Sequence, residues 1–174
     1  MYENSTQSTR QRSLNESGMY DSLTHLYSKP LFIQVVDSLL RISKRQQMPV
    51  SLAMISINRF HELEDKYGAS ECESVVKNGA DIIKSISRDS DVLSHFNVDT
   101  FALLLYNCNY DSTQIVMDRI YSNVNGHLSI QQHPVTISVG RAEFDAQKVS
   151  SPDCLSEHLI NTALTSLEVA SQNS

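Results

Sequence analysis

Residues 88–105, RDSDVLSHFNVDTFALLL, decide the fold of this chain. Their two apolar arms, residues 92–96 and 101–106, are short and rich in residue types that favour β-strands. Residues 97–100, Asn-Val-Asp-Thr, separate the arms and are typical of a tight turn. The stretch therefore predicts a β-hairpin that carries an aspartate, Asp99, at its tip.

Helical and strand patterns alternate on both sides of this hairpin. Residues 50–57, VSLAMISI, form a continuous apolar run that is typical of a buried central strand. A fourth strand is predicted at residues 135–139 and is expected to close at Gly140. Helices are predicted at residues 30–45 (with apolar Leu31, Val35, Leu39 and Ile42), 59–67, 70–88, 112–125 and 153–169. This order predicts an α+β fold, a ferredoxin-like βαββαβ antiparallel sheet flanked by helices on one or both faces.

Length and composition indicate one soluble globular domain. The chain has 174 residues, of which 40% are hydrophobic and 20% charged. Residues 1–20 are polar and predict a flexible tail or linker, so the domain is expected to span residues 21–174. The net charge of −6 argues against a general nucleic-acid binder.

The sequence also restricts the compartment and the cysteine chemistry. No apolar run approaches ~20 residues and no signal peptide opens the chain, so a cytoplasmic protein without a membrane span is expected. Cys72, Cys108 and Cys154 are widely spaced, which fits neither a disulfide framework nor a metal site. We expect reduced thiols.

Four groups of residues occur in an order and spacing that resembles one known family. They are Asp21-Ser22-Leu23-Thr24-His25-Leu26-Tyr27, Phe60 with Asp65-Lys66-Tyr67-Gly68, the hairpin Asn97-Val98-Asp99-Thr100-Phe101, and Ser138-Val139-Gly140. Together they resemble the GGDEF domain, the diguanylate cyclase fold, over about residues 20–172. The resemblance implies the nucleotidyl-cyclase-like form of the predicted sheet.

The resemblance also implies which catalytic positions have changed. The family joins two GTP molecules into cyclic di-GMP, using two divalent ions between an acid at the end of the first strand and an acid in the hairpin. Ser56 stands at the first of these positions, and Asp99 keeps the second. Asn97 and Val98 replace glycines, and a β-branched valine adapts badly to φ > 0, while Thr100 replaces a further acid. This set implies a degenerate member that is not an enzyme and has no cofactor, with Mg²⁺ needed only for residual cyclase activity.

Further positions concern the nucleotide. Glu64 and Glu73 stand where the family reads guanine, so with Asp99 they form a candidate remnant of a nucleotide site. His61 and Ser171 stand where family lysines meet the phosphates. Because removal of one transition-state donor typically costs ~10²–10³ in rate, several such changes predict loss of cyclase activity.

A second candidate site precedes the hairpin. Arg88-Asp89-Ser90-Asp91 resembles the family's R-x-x-D product-inhibition site, and Arg119 resembles the second arginine that a neighbouring protomer contributes. An arginine can donate two hydrogen bonds to a phosphate, and an aspartate can accept from guanine N–H groups. From the residues alone, Arg88 could instead be a helix C-terminal charge and Asp91 a turn residue.

Three functions remain open at this point. The first is a catalytically inactive regulatory or receptor module that binds cyclic di-GMP through Arg88, Asp91 and Arg119. The second is a protein-interaction or GTP-sensing module that does not bind cyclic di-GMP, and the third is a residual diguanylate cyclase. The expected partners are cyclic di-GMP, a second copy of the chain, and a neighbouring phosphodiesterase or sensor domain.

Overall fold

The structure, a computed structural model, describes residues 18–145 and 155–172. Most of the predicted tail, Cys154 and the expected start of the last helix at Asp153 lie outside these ranges. Cys72 and Cys108 carry free thiols. The strands are β1 (Tyr27–Ser28), β2 (Val50–Ile57), β3 (Val92–Asn97), β4 (Thr100–Tyr106), β5 (Ser129–Ile130), β6 (His133–Pro134) and β7 (Ile137–Glu143). The helices are α1 (Lys29–Gln46), α2 (Phe60–Tyr67), α3 (Ala69–Ile86), α4 (Tyr110–His127) and α5 (Leu155–Gln172).

Five strands form the main sheet in the order β1-β3-β4-β2-β7. The pairs β3–β4, β4–β2 and β2–β7 are antiparallel, whereas the two-residue β1 pairs with β3 in parallel. The predicted α+β fold is therefore confirmed, and its antiparallel βαββαβ core gains a short parallel edge strand. A separate two-stranded sheet, β5–β6, precedes β7.

Helices cover both faces of the sheet, because the inner strands are apolar on both sides. In β2, Ala53, Ile55 and Ile57 pack in one core cluster with residues of α3 and α4. The alternate residues Leu52 and Met54 pack in the other cluster with residues of α1 and α5. Since successive side chains of a strand point to opposite faces, burial on both sides explains the unbroken apolar run.

The buried stripe of α1 is displaced by one residue from the predicted one. The helix buries Phe32, Val36, Leu40 and Ser43, whereas the predicted positions Leu31, Val35, Leu39 and Ile42 are only partly buried. Both sets recur at helical spacing. Packing against the sheet and α5 determines which of the two stripes is buried. Helical periodicity alone does not distinguish between them.

The last long strand also differs from its prediction. It was expected at residues 135–139 with Gly140 as its end, but β7 continues through Gly140 to Glu143. A Cβ atom at Gly140 would lie 2.1 Å from the backbone nitrogen of Leu167 and 2.4 Å from the carbonyl oxygen of Ala163. Gly140 is therefore the residue that lets α5 approach the sheet closely, not a strand terminator.

Candidate functional site

Two clefts contain several of the residues that the sequence singled out, and the first lies where β2 ends beside the start of β4. Ser56 pairs across the sheet with Thr100 on one side and Ser138 on the other. The backbone N–H of Ile57 donates to the carbonyl oxygen of Asp99 over 2.9 Å. This bond holds the hairpin aspartate beside the end of β2.

The first cleft, which we call the strand-end cleft, has a volume of about 610 Å³. The predicted site residues that line it are Ser56, His61, Asp99 and Ser171, together with Asn58. Arg59, Glu62, Thr136 and Gln172 also line it, and the sequence did not single them out. Thr136 immediately precedes β7, and Gln172 is the last residue of α5. No local sequence motif marked either residue.

Several polar groups of this cleft form hydrogen bonds with other groups of the protein. The Thr100 hydroxyl donates to Asp99 Oδ1 over 2.8 Å. The Asn58 amide is used at both ends, since Oδ1 accepts from the Ser138 hydroxyl at 2.7 Å and Nδ2 donates to Thr136 Oγ1 at 3.1 Å. Asn58 therefore connects the end of β2 to Ser138 of β7 and to Thr136, and both ends of its amide are engaged.

The charged groups at the cleft mouth are also partnered. Arg59, in the left-handed region at φ = 56°, forms an ion pair with Glu62 one helical turn away. Hydrogen bonding and charge from the partner raise the pKa of Arg59 and lower the pKa of Glu62. Both side chains are exposed, so this pair contributes little to stability.

A centre with two magnesium ions does not fit this donor set. Magnesium prefers carboxylate oxygens and phosphates, and the strand-end position of the first acid holds the Ser56 hydroxyl. Asp99 supplies one carboxylate, and Glu62 is engaged by Arg59. Among residues 18–145 and 155–172, no three His, Cys, Asp or Glu side chains lie close enough together to hold one metal ion.

The remaining predicted nucleotide residues lie elsewhere. Glu64 is partly buried on α2 and Glu73 is exposed on α3. Neither lines the strand-end cleft with Asp99. Glu64 instead acts on Cys72, whose pKa is raised by burial of the thiol and by the negative charges of Glu64 and Glu71.

The hairpin turn is built without a left-handed residue. Asn97 pairs directly with Thr100, which leaves Val98 and Asp99 as the two-residue turn, and a bulge lies between His95 and Asn97. None of these turn residues has positive φ. The expected conflict between Val98 and a left-handed backbone therefore does not arise. The Val98 side chain is 67% exposed and points away from the core.

A histidine ties this hairpin to the Asp21 loop. Asp21 Oδ1 accepts from the backbone N–H and the hydroxyl of Thr24, at 2.8 and 2.7 Å, and pairs with His95 Nδ1 at 3.0 Å. His95 Nε2 lies 3.3 Å from the carbonyl oxygen of Val98. Burial raises the pKa of Asp21, but the bonds from Thr24 and His95 outweigh it and hold the pKa below its ordinary value.

The second candidate site lies at the junction of α3 and β3. Asp91 Oδ2 accepts from the backbone N–H of Arg88 over 2.8 Å, and the N–H of Asp91 donates to the carbonyl oxygen of Arg88 over 3.0 Å. This reciprocal pair closes the turn and fixes the Asp91 side chain. Burial raises the pKa of Asp91, against the opposing effects of the Arg88 N–H and charge.

Arg88 and Asp91 line a cleft of about 390 Å³, which we call the junction cleft. Tyr20, Tyr27 and Lys84 line it as well. The structure thus brings Arg88 and Asp91 together but leaves Arg119 out, since Arg119 is exposed on α4 and does not line this cleft. Lys84 lies one helical turn before Arg88, a spacing visible in the sequence, whereas Tyr20 falls in the segment assigned to the tail.

No helix within the two described ranges is long and apolar enough to span a lipid bilayer.

Comparison with known proteins supports one assignment. The family described as "Diguanylate cyclase, GGDEF domain" matches residues 18–174. The chain is 30% identical over 149 residues to the probable diguanylate cyclase DgcE of Escherichia coli, covering 84% of this chain and 14% of that protein. It is also 30% identical over 132 residues to diguanylate cyclase DgcS of Shewanella oneidensis, covering 76% of this chain and 44% of that one.

A solved structure agrees on the fold. The GGDEF domain of DgcB from Caulobacter crescentus, crystallised in complex with c-di-GMP, superposes with a TM-score of 0.81 at 17% identity. The match covers 89% of this chain and 88% of that one. The chain spans less than half the length of DgcE and DgcS. From the family match over residues 18–174 and the shared topology, the chain belongs to the GGDEF domain family.

Proposed function

We propose that this chain is a catalytically inactive GGDEF domain that acts as a receptor or regulatory module by binding cyclic di-GMP through Arg88 and Asp91. The observation that carries the proposal is the reciprocal hydrogen bonding of these two residues at the edge of an open cleft. The related DgcB domain was crystallised with c-di-GMP, which supports the choice of ligand.

The chemistry of the two residues suits that ligand. The Arg88 side chain is exposed and can donate two parallel hydrogen bonds to a phosphate. Asp91 uses Oδ2 for the Arg88 N–H, which leaves Oδ1 to accept from guanine N–H groups. Those donors would also stabilise the ionised form of a carboxylate that burial disfavours.

The proposal of inactivity rests on the strand-end cleft. Its donors are the Ser56 hydroxyl, the engaged Asn58 amide, the Asp99 carboxylate that accepts from Thr100, and the Glu62 carboxylate that is paired with Arg59. This set offers too little negative charge to balance two dications beside a triphosphate. We therefore propose no cofactor for the domain.

We also propose the setting of the domain. A second copy of the chain, with Arg119 offered across the interface, and a neighbouring phosphodiesterase or sensor domain are the proposed partners. The cytoplasm is the proposed compartment, because its reducing conditions keep thiols such as those of Cys72 and Cys108 free.

Isothermal titration with cyclic di-GMP tests the binding proposal. The wild-type chain is expected to release heat with a saturating curve, and Arg88→Ala is expected to weaken binding at least about tenfold, since a charge-assisted bond is lost. Arg41→Ala, which removes an exposed arginine on α1, serves as the control and is expected to bind like wild type. An absence of heat with the wild-type chain rejects the proposal.

A turnover assay tests inactivity. GTP and Mg²⁺ at high protein concentration are expected to give no cyclic di-GMP. Product formation that Asp99→Ala abolishes would show instead that the chain is a cyclase.

The volume of the strand-end cleft favours one alternative function, GTP sensing. At about 610 Å³ the cleft lies within the range of ~300–1,000 Å³ common for small-molecule sites, and Asp99 and His61 face it. This alternative predicts GTP binding without turnover and its loss in Asp99→Ala, with Arg88→Ala unaffected.

A further inference from the structure

The junction cleft contains an aromatic platform that the R-x-x-D pair does not account for. Tyr20 and Tyr27 form an isolated antiparallel backbone bridge, and their ring centroids lie 5.5 Å apart at an interplanar angle of 49°. Tyr20 is 44% exposed and lines the cleft, so part of its ring faces solvent there. An exposed ring at the wall of a cleft is a surface on which a planar base can stack.

The platform is held in place by the sheet. Tyr27 pairs with Ser94 of β3, and the Ser94 hydroxyl donates to the carbonyl oxygen of Tyr27 over 2.8 Å. On the other side of Tyr20, the Ser28 hydroxyl donates to the carbonyl oxygen of Gly18 over 2.8 Å. Because Tyr20 is positioned before any ligand arrives, stacking on it would require little loss of conformational entropy.

Two positively charged side chains also line the cleft. Lys84, in the last turn of α3, and Arg88, four residues later, both line the cleft and are exposed. Within the part of the chain that the structure describes, neither side chain forms an ion pair. Two exposed cations beside an aromatic ring and a carboxylate are a set suited to a purine nucleotide.

We infer that Tyr20 and Lys84 are ligand-contacting residues of the junction cleft, with the Tyr20 ring stacking on a guanine base and the Lys84 ammonium contacting a phosphate of cyclic di-GMP. The inference rests on the proposed function and extends it beyond Arg88 and Asp91. One chain then supplies a base platform, two phosphate cations and a guanine-reading carboxylate, so a guanylyl half of the ligand is bound without Arg119.

The test is isothermal titration of cyclic di-GMP into matched variants. Tyr20→Ala is expected to weaken binding about 5- to 100-fold, the effect of removing one base–aromatic stack, while Tyr20→Phe stays within about twofold of wild type. Lys84→Ala is expected to weaken binding several-fold and to reduce its dependence on salt concentration. Lys77→Ala, an exposed lysine on the same helix outside the cleft, is the control and is expected to match wild type.

A spectroscopic readout separates stacking from a merely structural role. The chain contains no Trp, so its near-ultraviolet emission comes from its seven Tyr residues. Cyclic di-GMP is expected to quench part of this emission in wild type. Tyr20→Phe is expected to bind equally well with a smaller quench, because the stacked ring no longer emits at the tyrosine wavelength.

The outcomes distinguish this inference from the proposed function. If Arg88→Ala loses affinity while Tyr20→Ala and Lys84→Ala bind like wild type, the proposed function stands and the inference is wrong. If the wild-type chain binds no cyclic di-GMP, both are wrong. Should Tyr20→Ala fail to fold, Tyr20→Leu keeps apolar bulk at the position without a ring, and binding equal to wild type in that variant also overturns the inference.

Discussion

At the scale of single residues, Asp21 connects two segments that are distant in sequence. It accepts two hydrogen bonds from Thr24 and pairs with His95, which in turn contacts the carbonyl oxygen of Val98 in the hairpin turn. Both His95 ring nitrogens lie near an oxygen atom, Asp21 Oδ1 at 3.0 Å and the Val98 carbonyl oxygen at 3.3 Å. The Asp21 loop and the hairpin are therefore joined through the His95 ring.

We predict that this carboxylate stabilises the fold in a pH-dependent manner. Its pKa in the folded protein lies below the ordinary value of 3.8, so the unfolded chain takes up the proton first as the pH falls. The stabilisation is fully present above 3.8 and is lost as the pH falls through the folded pKa. Asp21→Asn, which keeps an acceptor for Thr24, is expected to cost about 1–3 kcal/mol near neutral pH.

Urea unfolding at a series of pH values measures this effect. The difference between wild type and Asp21→Asn should shrink as the pH falls below 3.8. Asp81→Asn, an exposed aspartate on α3, is the control and should show little difference. A stability difference that stays constant with pH would contradict the charge-based explanation.

At the scale of elements, the contact between α5 and β7 depends on the absence of a side chain at Gly140. The backbone of α5 lies where a Cβ atom would be, at 2.1 Å from the Leu167 nitrogen. Because helix backbone cannot move aside as a flexible side chain can, the whole helix would have to shift. Ser171 and Gln172, at the end of this helix, line the strand-end cleft, so the glycine also positions that cleft.

We predict opposite effects for two Gly→Ala substitutions. Gly140→Ala is expected to destabilise the domain by about 3 kcal/mol or more, since overpacking typically costs 1–3 kcal/mol and here meets backbone. Gly126→Ala, on an exposed position of α4 with nothing within 4 Å of the new Cβ, is expected to stabilise by about 0.5–1 kcal/mol. Thermal and urea unfolding measure both, and a neutral Gly140→Ala would contradict the packing argument.

The β3–β4 and β5–β6 hairpins use different turns. Between β5 and β6, Gln131 and Gln132 both have positive φ, at 45° and 69°, which is the geometry of a type I′ turn. Glutamine is disfavoured there, and Asn-Gly is the preferred pair. The turn between β3 and β4 has no positive φ.

This difference predicts at which of the two turns a glycine stabilises the domain. The double substitution Gln131→Asn/Gln132→Gly is expected to stabilise the domain by about 1 kcal/mol, because it relieves left-handed strain. Val98→Gly is expected to give no gain and to cost up to about 1 kcal/mol through unfolded-state entropy. Urea unfolding of both variants measures the change in the free energy of unfolding. A Val98→Gly variant that is more stable than wild type would indicate that the β3–β4 turn is strained.

At the scale of the whole molecule, the two clefts lie at opposite ends of one strand. Asp91 precedes β3 and belongs to the junction cleft, whereas Asp99 follows the hairpin turn and belongs to the strand-end cleft. The six residues of β3 separate them by roughly 20 Å at about 3.3 Å per residue. No residue lines both clefts.

We therefore predict that the clefts act independently. Asp99→Asn is expected to leave cyclic di-GMP affinity within about twofold of wild type, and the double variant Arg88→Ala/Asp99→Asn is expected to match Arg88→Ala. Titration calorimetry of the three variants measures this. A large effect of Asp99→Asn would mean that the ligand binds at the strand end instead.

The amino-acid sequence by itself determined the element types, the hairpin and the family, because apolar runs, helical spacing, turn residues and short motifs act over a few neighbouring positions. The buried stripe of α1, the continuation of β7 through Gly140, the β5–β6 hairpin with its two glutamines and the place of Tyr20 beside Arg88 were decided by tertiary structure. Each of these depends on which surfaces meet across the sheet. Arg119 lies exposed on α4 outside the junction cleft of its own chain, so its contribution from a neighbouring protomer stays a prediction.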